Sequence, residues 1–222
     1  MAQVLRSTAA GFWPRVGVAK LQGMSFLDSS PTRAPASAAP TAPMHALTMA
    51  DWVFGYGSLI WDPGFDFTEA HLARVHGYHR AFCIRSTRYR GTPESPGVVL
   101  GLDRGGSCIG MVFRLKPGSR RRAIEGLYER EMTGRVYVPK LLPVSLRSGR
   151  EVRALTFVAN RSSHAYERLH EAEIVRRLSC CAGQRGENRE YAIRTWRSLA
   201  ERGVRCPHLG RVSHRLLQLG CG

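Results

Sequence analysis

The stretch from Trp52 to Trp61 reads Trp-Val-Phe-Gly-Tyr-Gly-Ser-Leu-Ile-Trp, and it restricts the possible folds more than any other part of the chain. Trp52, Val53 and Phe54 are β-prone and apolar without a break, the pattern of a strand buried on both faces. Gly55 and Gly57 then bracket Tyr56, and Ser58, Leu59, Ile60 and Trp61 resume the apolar run. Glycine inside a strand pattern marks a bulge, or a place where another group comes close to the backbone. Two glycines around an aromatic residue, ahead of a hydroxyl, can present several backbone N–H groups to an anion, with the Ser58 hydroxyl as a further contact. A kinked core strand without a ligand would carry the same pattern. A dinucleotide fingerprint is excluded, since no third glycine stands at the required offset and no amphipathic helix follows.

The 222 residues hold 33 Lys plus Arg against 17 Asp plus Glu, a net charge of +16. Nearly all of the excess is arginine, because only Lys20, Lys116 and Lys140 are lysines. Such an excess fits nucleic acid, acidic lipid or an anionic small substrate, and arginine-rich coding bias gives it too. Apart from Arg6, Arg15 and Arg33, the arginines are spread from Arg74 to Arg215, with one tight cluster at Arg120, Arg121 and Arg122. No basic tail stands alone and no basic stripe is interleaved with aromatics, so no nucleic-acid partner is expected. Cys83, Cys108, Cys180, Cys181, Cys206 and Cys221 form no C-x-x-C pair and have no histidine at zinc-finger spacing. That usage points to a reducing, cytoplasmic setting and to no metal. No apolar run reaches the roughly 18 to 20 residues of a membrane-spanning helix, so no membrane span is expected.

Residues 1–48 differ from all that follows. They are rich in Ala, Pro and Ser, with Arg6, Arg15, Lys20 and Arg33 against the single acid Asp28. This composition buries too little apolar surface to offset the entropy of ordering, and an unfolded leader is expected. A transit peptide has the same composition, as would an over-extended start ahead of Met49. Residues 49–222 are expected to form one folded domain. Strands are predicted over Val75–Thr87, Val98–Leu102, Cys108–Leu115, Val136–Leu146 and Val152–Ala159, with Asp103 to Ser107 as a hairpin turn. Helices are predicted over Arg120–Glu131, Tyr166–Cys180, Asn188–Arg202 and Leu209–Leu219. About six hairpin-linked strands with few β-α alternations imply an α+β fold, a small and mostly antiparallel β-barrel with flanking helices.

Acids are scarce enough for their positions to carry information. Glu129 and Glu131 end the first predicted helix, and residues two apart on a helix do not share a face, so one can turn inward while the other stays wet. A carboxyl in a partly apolar pocket holds its proton more tightly, which suits a general base near neutral pH. Two surface charges beside Arg130 and Arg135 would satisfy the same spacing. His76 and His79 fall on opposite faces of a strand, and His164 and His170 have no carboxylate or cysteine at ligand spacing. Ser58 lacks the G-x-S-x-G elbow of a serine nucleophile.

Val53-Phe54-Gly55-Tyr56-Gly57-Ser58-Leu59-Ile60-Trp61 resembles the opening motif of the ChaC-type γ-glutamylcyclotransferases. The resemblance continues through Gly77-Tyr78-His79-Arg80, Tyr89-Arg90-Gly91-Thr92 with Pro96-Gly97, the Arg130-Glu131 pair, Tyr137, and Glu187-Asn188-Arg189-Glu190-Tyr191. It departs after Glu131, where Met-Thr-Gly-Arg-Val-Tyr stands in place of the usual glycine pair before the tyrosine. The resemblance implies a cofactor-free lyase of γ-glutamylcyclotransferase-like fold, with glutathione as its small-molecule partner. It further implies Glu131 as the general acid/base, and Gly55, Tyr56, Gly57, Ser58, Leu59, Ile60 and Tyr137 as the substrate-binding residues. Two other readings stay open: a cyclotransferase for other γ-glutamyl amines or amino acids, and a basic anion- or nucleic-acid-binding protein with a vestigial pocket.

Overall fold

A computed structural model describes residues 50–219; the leader expected over residues 1–48 lies outside the described residues. Five strands close into a barrel in the order β1-β3-β2-β4-β5. They are β1 (Trp52–Gly55), β2 (Phe67–Ser86), β3 (Gly97–Leu115), β4 (Tyr137–Leu146) and β5 (Glu151–Ala159). Pairing is antiparallel except at the closure, where β5 is met in parallel by β1 through Trp52↔Ala154 and Val53↔Leu155 and by β3 through Leu102↔Val158. The expected α+β barrel with flanking helices is therefore the observed architecture.

β1 is buried on both faces, as its unbroken apolar sequence requires. Alternation sends Phe54 into a core shared with Val75, Leu100, Leu102 and Val112, and Val53 into a second core with Ile84, Leu155 and Phe157. Helix α1 (Arg120–Glu131) closes the second core through Ile124 and Leu127. Helices α2 (Glu171–Cys180), α3 (Asn188–Ala200) and α4 (Pro207–Gln218) close the first through Leu178, Leu199, Leu209 and Leu216.

The hairpin expected at Asp103 to Ser107 does not exist. β3 runs straight through that segment and pairs along its length with β2, from Phe67↔Leu115 to Ser86↔Gly97. Gly105 and Gly106 do take the positive φ values that suggested a turn, 101° and 70°, but Gly77 opposite them takes 79°. The register shifts between His76 and Tyr78, so the glycines form an irregularity in both strands at one level rather than a reversal. Asp103 is tied down by Arg161 Nε at 2.7 Å and by the Tyr166 hydroxyl at 2.9 Å. Those bonds also correct the start expected for α2. Tyr166 forms a bridge to Ile84 and Glu167 N–H bonds Cys83 C=O at 2.9 Å, so the helix begins only at Glu171. Between α2 and α3, Ala182–Gly183 and Gly186–Glu187 make a two-residue antiparallel pair, β6 and β7. Among the described residues no helix is long and apolar enough to cross a membrane.

Candidate active site

Just past β1 the chain bends into a single 3-10 turn, Ser58–Ile60. Ile60 N–H bonds Gly57 C=O at 3.0 Å, and the N–H groups of Trp61 and Asp62 converge on Ser58 C=O. The earlier N–H groups, on Ser58 and Leu59, lie outside the turn's own ladder. Leu59 and Ile60 bury their side chains in the two cores, so the turn offers its backbone rather than these side chains. Close approach excludes a side chain at Gly55 and crowds one at Gly57. A Cβ on Gly55 would sit 2.7 Å from Leu59 Cβ, and one on Gly57 3.1 Å from the Tyr191 hydroxyl oxygen.

Tyr56 is fixed at both ends. Its hydroxyl donates to Phe157 C=O at 2.7 Å, and its own C=O accepts from Arg80 Nε at 2.6 Å. Arg80 is buried and also gives Nη2 to Ile109 C=O at 2.8 Å. Sequence reasoning quoted Arg80 within a motif without seeing that it holds the backbone of the turn. Tyr137, the first residue of β4, donates its hydroxyl to Leu100 C=O at 2.9 Å. Leu100 N–H in turn donates to the Tyr191 hydroxyl at 3.2 Å, so one residue of β3 anchors a tyrosine through each of its backbone polar groups.

Tyr191 is carried by α3, and α3 is held by Asn188. That side chain is 0% exposed; its Oδ1 accepts from Val98 N–H at 2.7 Å and its Nδ2 donates to Val98 C=O at 2.8 Å. The amide thus extends the pairing of β3 into the helix. Gly97 beside it has no room for a Cβ against Arg90 C=O.

Glu131 ends α1 with its side chain 17% exposed, whereas Glu129 is exposed. This is the inward and outward split expected of residues two apart on a helix. Burial raises the Glu131 carboxyl above its ordinary range, while the charges of Arg130 and then Arg185 pull it back. Its negative charge is felt by three phenols. Burial first, and Glu131 among the charges, raise Tyr56 and Tyr137 well above the ordinary tyrosine value and push Tyr191 to about 12. The site therefore gathers one acid and three neutral phenols from the ends of β1, α1 and β4 and from α3.

Arg130, left by the sequence as a partner in a surface pair, is 13% exposed and links the acid to the turn. Its Nε lies 3.3 Å from Glu131 Oε1, its Nη2 donates to Ser58 Oγ at 2.7 Å and its Nη1 to Asp62 C=O at 3.0 Å. Its position beside Glu131 was visible in sequence; its reach to Ser58 was not. Among the described residues no three of His, Cys, Asp and Glu come together to hold a metal. A separate cavity of about 720 Å³, lined by Leu72, Arg74, Ile109, Leu146, Val204 and Arg205 among others, contains neither the acid nor the tyrosines.

A closed, mostly antiparallel barrel with these flanking helices has the γ-glutamylcyclotransferase fold. The crystal structure of a selenomethionine-labelled yeast γ-glutamyl cyclotransferase specific to glutathione matches it with a TM-score of 0.70 at 22% identity, over 76% of this chain and 96% of that one. The chain belongs to the ChaC-like protein family, which residues 51–218 match. A glutathione-specific γ-glutamylcyclotransferase of Escherichia coli is 36% identical over 154 residues, 69% of this chain and 67% of the relative. A γ-glutamylcyclotransferase 2-3 of Arabidopsis thaliana is 29% identical over 177 residues, 76% of this chain and 89% of the relative.

Proposed function

We propose that the protein is a lyase that cleaves glutathione to 5-oxoproline and cysteinylglycine. The observation that carries the reading is the inward-facing Glu131, whose charge reaches Tyr56, Tyr137 and Tyr191. Glutathione contains its own nucleophile, the α-amine of the γ-glutamyl residue, five ring atoms away from closure on the side-chain carbonyl. The amine enters as an unreactive ammonium, so the first need is a base. A carboxyl raised by burial is suited to take that proton. The freed nitrogen attacks the γ-carbonyl carbon and a C–N bond forms. The tetrahedral adduct then collapses as the bond to the cysteinyl nitrogen breaks: Glu131 returns its proton to that departing nitrogen, then takes the second proton that the ring nitrogen sheds in becoming a lactam N–H and passes it to the freed amine, which leaves as an ammonium.

The second need is geometry. Holding amine and carbonyl in a near-attack pose supplies ~7–11 kcal/mol in well-oriented intramolecular reactions. In this reading the turn from Gly55 to Ile60 grips the γ-glutamyl α-carboxylate through the N–H groups that the turn does not use itself. Tyr56 and Tyr137 wall the pocket with neutral phenols, so they add no negative charge to that of Glu131. No cofactor has a part in these steps. A cytoplasmic setting is supported by Cys83, Cys108, Cys180, Cys181 and Cys206, all free.

The test is a product assay. The protein incubated with glutathione should release cysteinylglycine and 5-oxoproline in equal amounts, and Glu131→Gln should abolish release while the far-UV spectrum and melting curve stay those of a folded protein. Full activity in the Gln variant would remove Glu131 as the base. Turnover of other γ-glutamyl compounds with glutathione inert would move the substrate but keep the reaction.

A further inference from the structure

Arg90 is 6% exposed, and among the described residues no carboxylate forms an ion pair with it. Its guanidinium lies 5.5 Å from the centre of the Tyr191 ring, the same ring whose hydroxyl abuts Gly57. Nη1 donates to Glu187 C=O at 2.9 Å, and no other hydrogen bond of the guanidinium lies among the described residues. Glu190 is the acid whose charge Arg90 feels, but that carboxylate is directed to Arg194 at 3.5 Å. Burial disfavours the Arg90 cation, and Arg194 and Arg185 disfavour it further.

Arg185 repeats the arrangement. Its backbone N–H bonds Tyr89 C=O at 2.9 Å, and its guanidinium stacks 4.3 Å from the centre of the Tyr89 ring. It too has no ion pair among the described residues, and its charge reaches Glu131. Two guanidinium groups that repel each other therefore stand near the tyrosines and the acid, and neither forms an ion pair among the described residues. A buried cation is retained against its desolvation penalty where an anion completes it. A planar guanidinium fork matches a carboxylate in particular.

We propose that Arg90 and Arg185 form the subsite for the carboxylate at the far end of the leaving group, which for glutathione is the glycyl carboxylate. This rests on the glutathione reading above, in which the turn after β1 holds the other carboxylate. The subsite selects peptides that end in a free carboxylate over neutral γ-glutamyl amines.

The experiment compares glutathione with its glycyl ethyl ester, which keeps the thiol and the γ-glutamyl end and loses only that charge. The ester is expected to show a kcat/KM lower by roughly tenfold or more, mainly through KM, as loss of a charge-assisted contact made equally before and during reaction requires. Arg185→Gln, whose backbone contact to Tyr89 survives the change, should raise KM for glutathione by a larger factor than for the ester, so that the preference collapses; any effect through the charge it exerts on Glu131 falls on both substrates and cancels in their ratio. Arg90→Lys should lose part of the preference while remaining folded. A merely structural role would weaken both substrates alike. Equal turnover of the two compounds by the unaltered protein, or equal losses in the Arg185 variant, would overturn the subsite. If neither compound is turned over, the cyclotransferase reading fails. Calorimetric titration with the same pair then decides the subsite: tighter binding of glutathione than of the ester upholds it, and equal or absent binding overturns it.

Discussion

Arg130 and Ser58 are 72 residues apart in sequence, and Arg130 Nη2 donates to Ser58 Oγ at 2.7 Å while Nε of the same side chain lies 3.3 Å from Glu131. One guanidinium thus couples the turn proposed to hold the substrate to the helix that carries the proposed base. Replacing Arg130 by Met removes the coupling and the cation together. The expected results are a stability loss of about 1.5–3 kcal/mol in urea unfolding, the range for hydrogen bonds to charged groups. An upward move of the acidic limb of the kcat/KM–pH profile is also expected, since Arg130 is the larger of the two charges pulling the Glu131 carboxyl down. An unmoved acidic limb would mean that the pair is not coupled electrostatically.

Glu131 also predicts how stability varies with pH. Its carboxyl is raised above the ordinary 4.5 in the folded protein, so between 4.5 and the raised value the native state binds more protons than the unfolded state. Stability contributed by this group is present below 4.5 and falls as pH rises through that window. Glu131→Gln cannot lose a proton and should flatten this part of the curve, with a melting temperature at neutral pH equal to or above that of the unaltered protein. A variant melting lower at pH 7 and unchanged at pH 4 would reverse the sign.

Asn188 replaces a strand where a helix begins. Substitution by Ala leaves Val98 N–H and C=O without the partners they have in Asn188, and the expected penalty is about 2–6 kcal/mol for two unsatisfied buried groups. Because Tyr191 lies one turn further along α3, activity should fall even at temperatures where the variant remains folded. Chemical denaturation with a parallel glutathione assay checks both.

Gly57→Ala tests the tight approach to Tyr191. The added carbon meets the phenol oxygen at 3.1 Å, so the ring or the turn must yield by a few tenths of an ångström. The expected outcome is a KM raised several-fold with a stability loss of about 1–3 kcal/mol, the usual cost of adding a carbon to a packed site. An unchanged KM would show that the turn is not in contact with substrate.

The elements that sequence reasoning located are those with a strong local signal. Trp52 to Phe54 admits only a buried strand, and Arg120–Glu131 has helical spacing, a preceding proline and inward positions at Ile124 and Leu127. The Glu129/Glu131 split followed from helix geometry alone. The sequence divides β3 at Asp103 to Ser107 because Gly105-Gly106 is locally indistinguishable from a turn; only Gly77, nearly thirty residues earlier, makes the pair a two-strand irregularity. Arg80, Arg90, Arg130 and Asn188 were seen as letters in motifs, yet their roles are set by partners 24 to 97 residues away. Distances of that kind are created by barrel closure and leave no trace in a window of sequence.

Tyr56 and Tyr137 attach their hydroxyls to carbonyls of β5 and β3, so the wall proposed to face the substrate is also the joinery of the barrel. A lineage seeking a new γ-glutamyl substrate could not reshape that wall without loosening the vessel that supports it. Change in diet would have to come from the arginine-bearing rim, where side chains can be exchanged without undoing a seam.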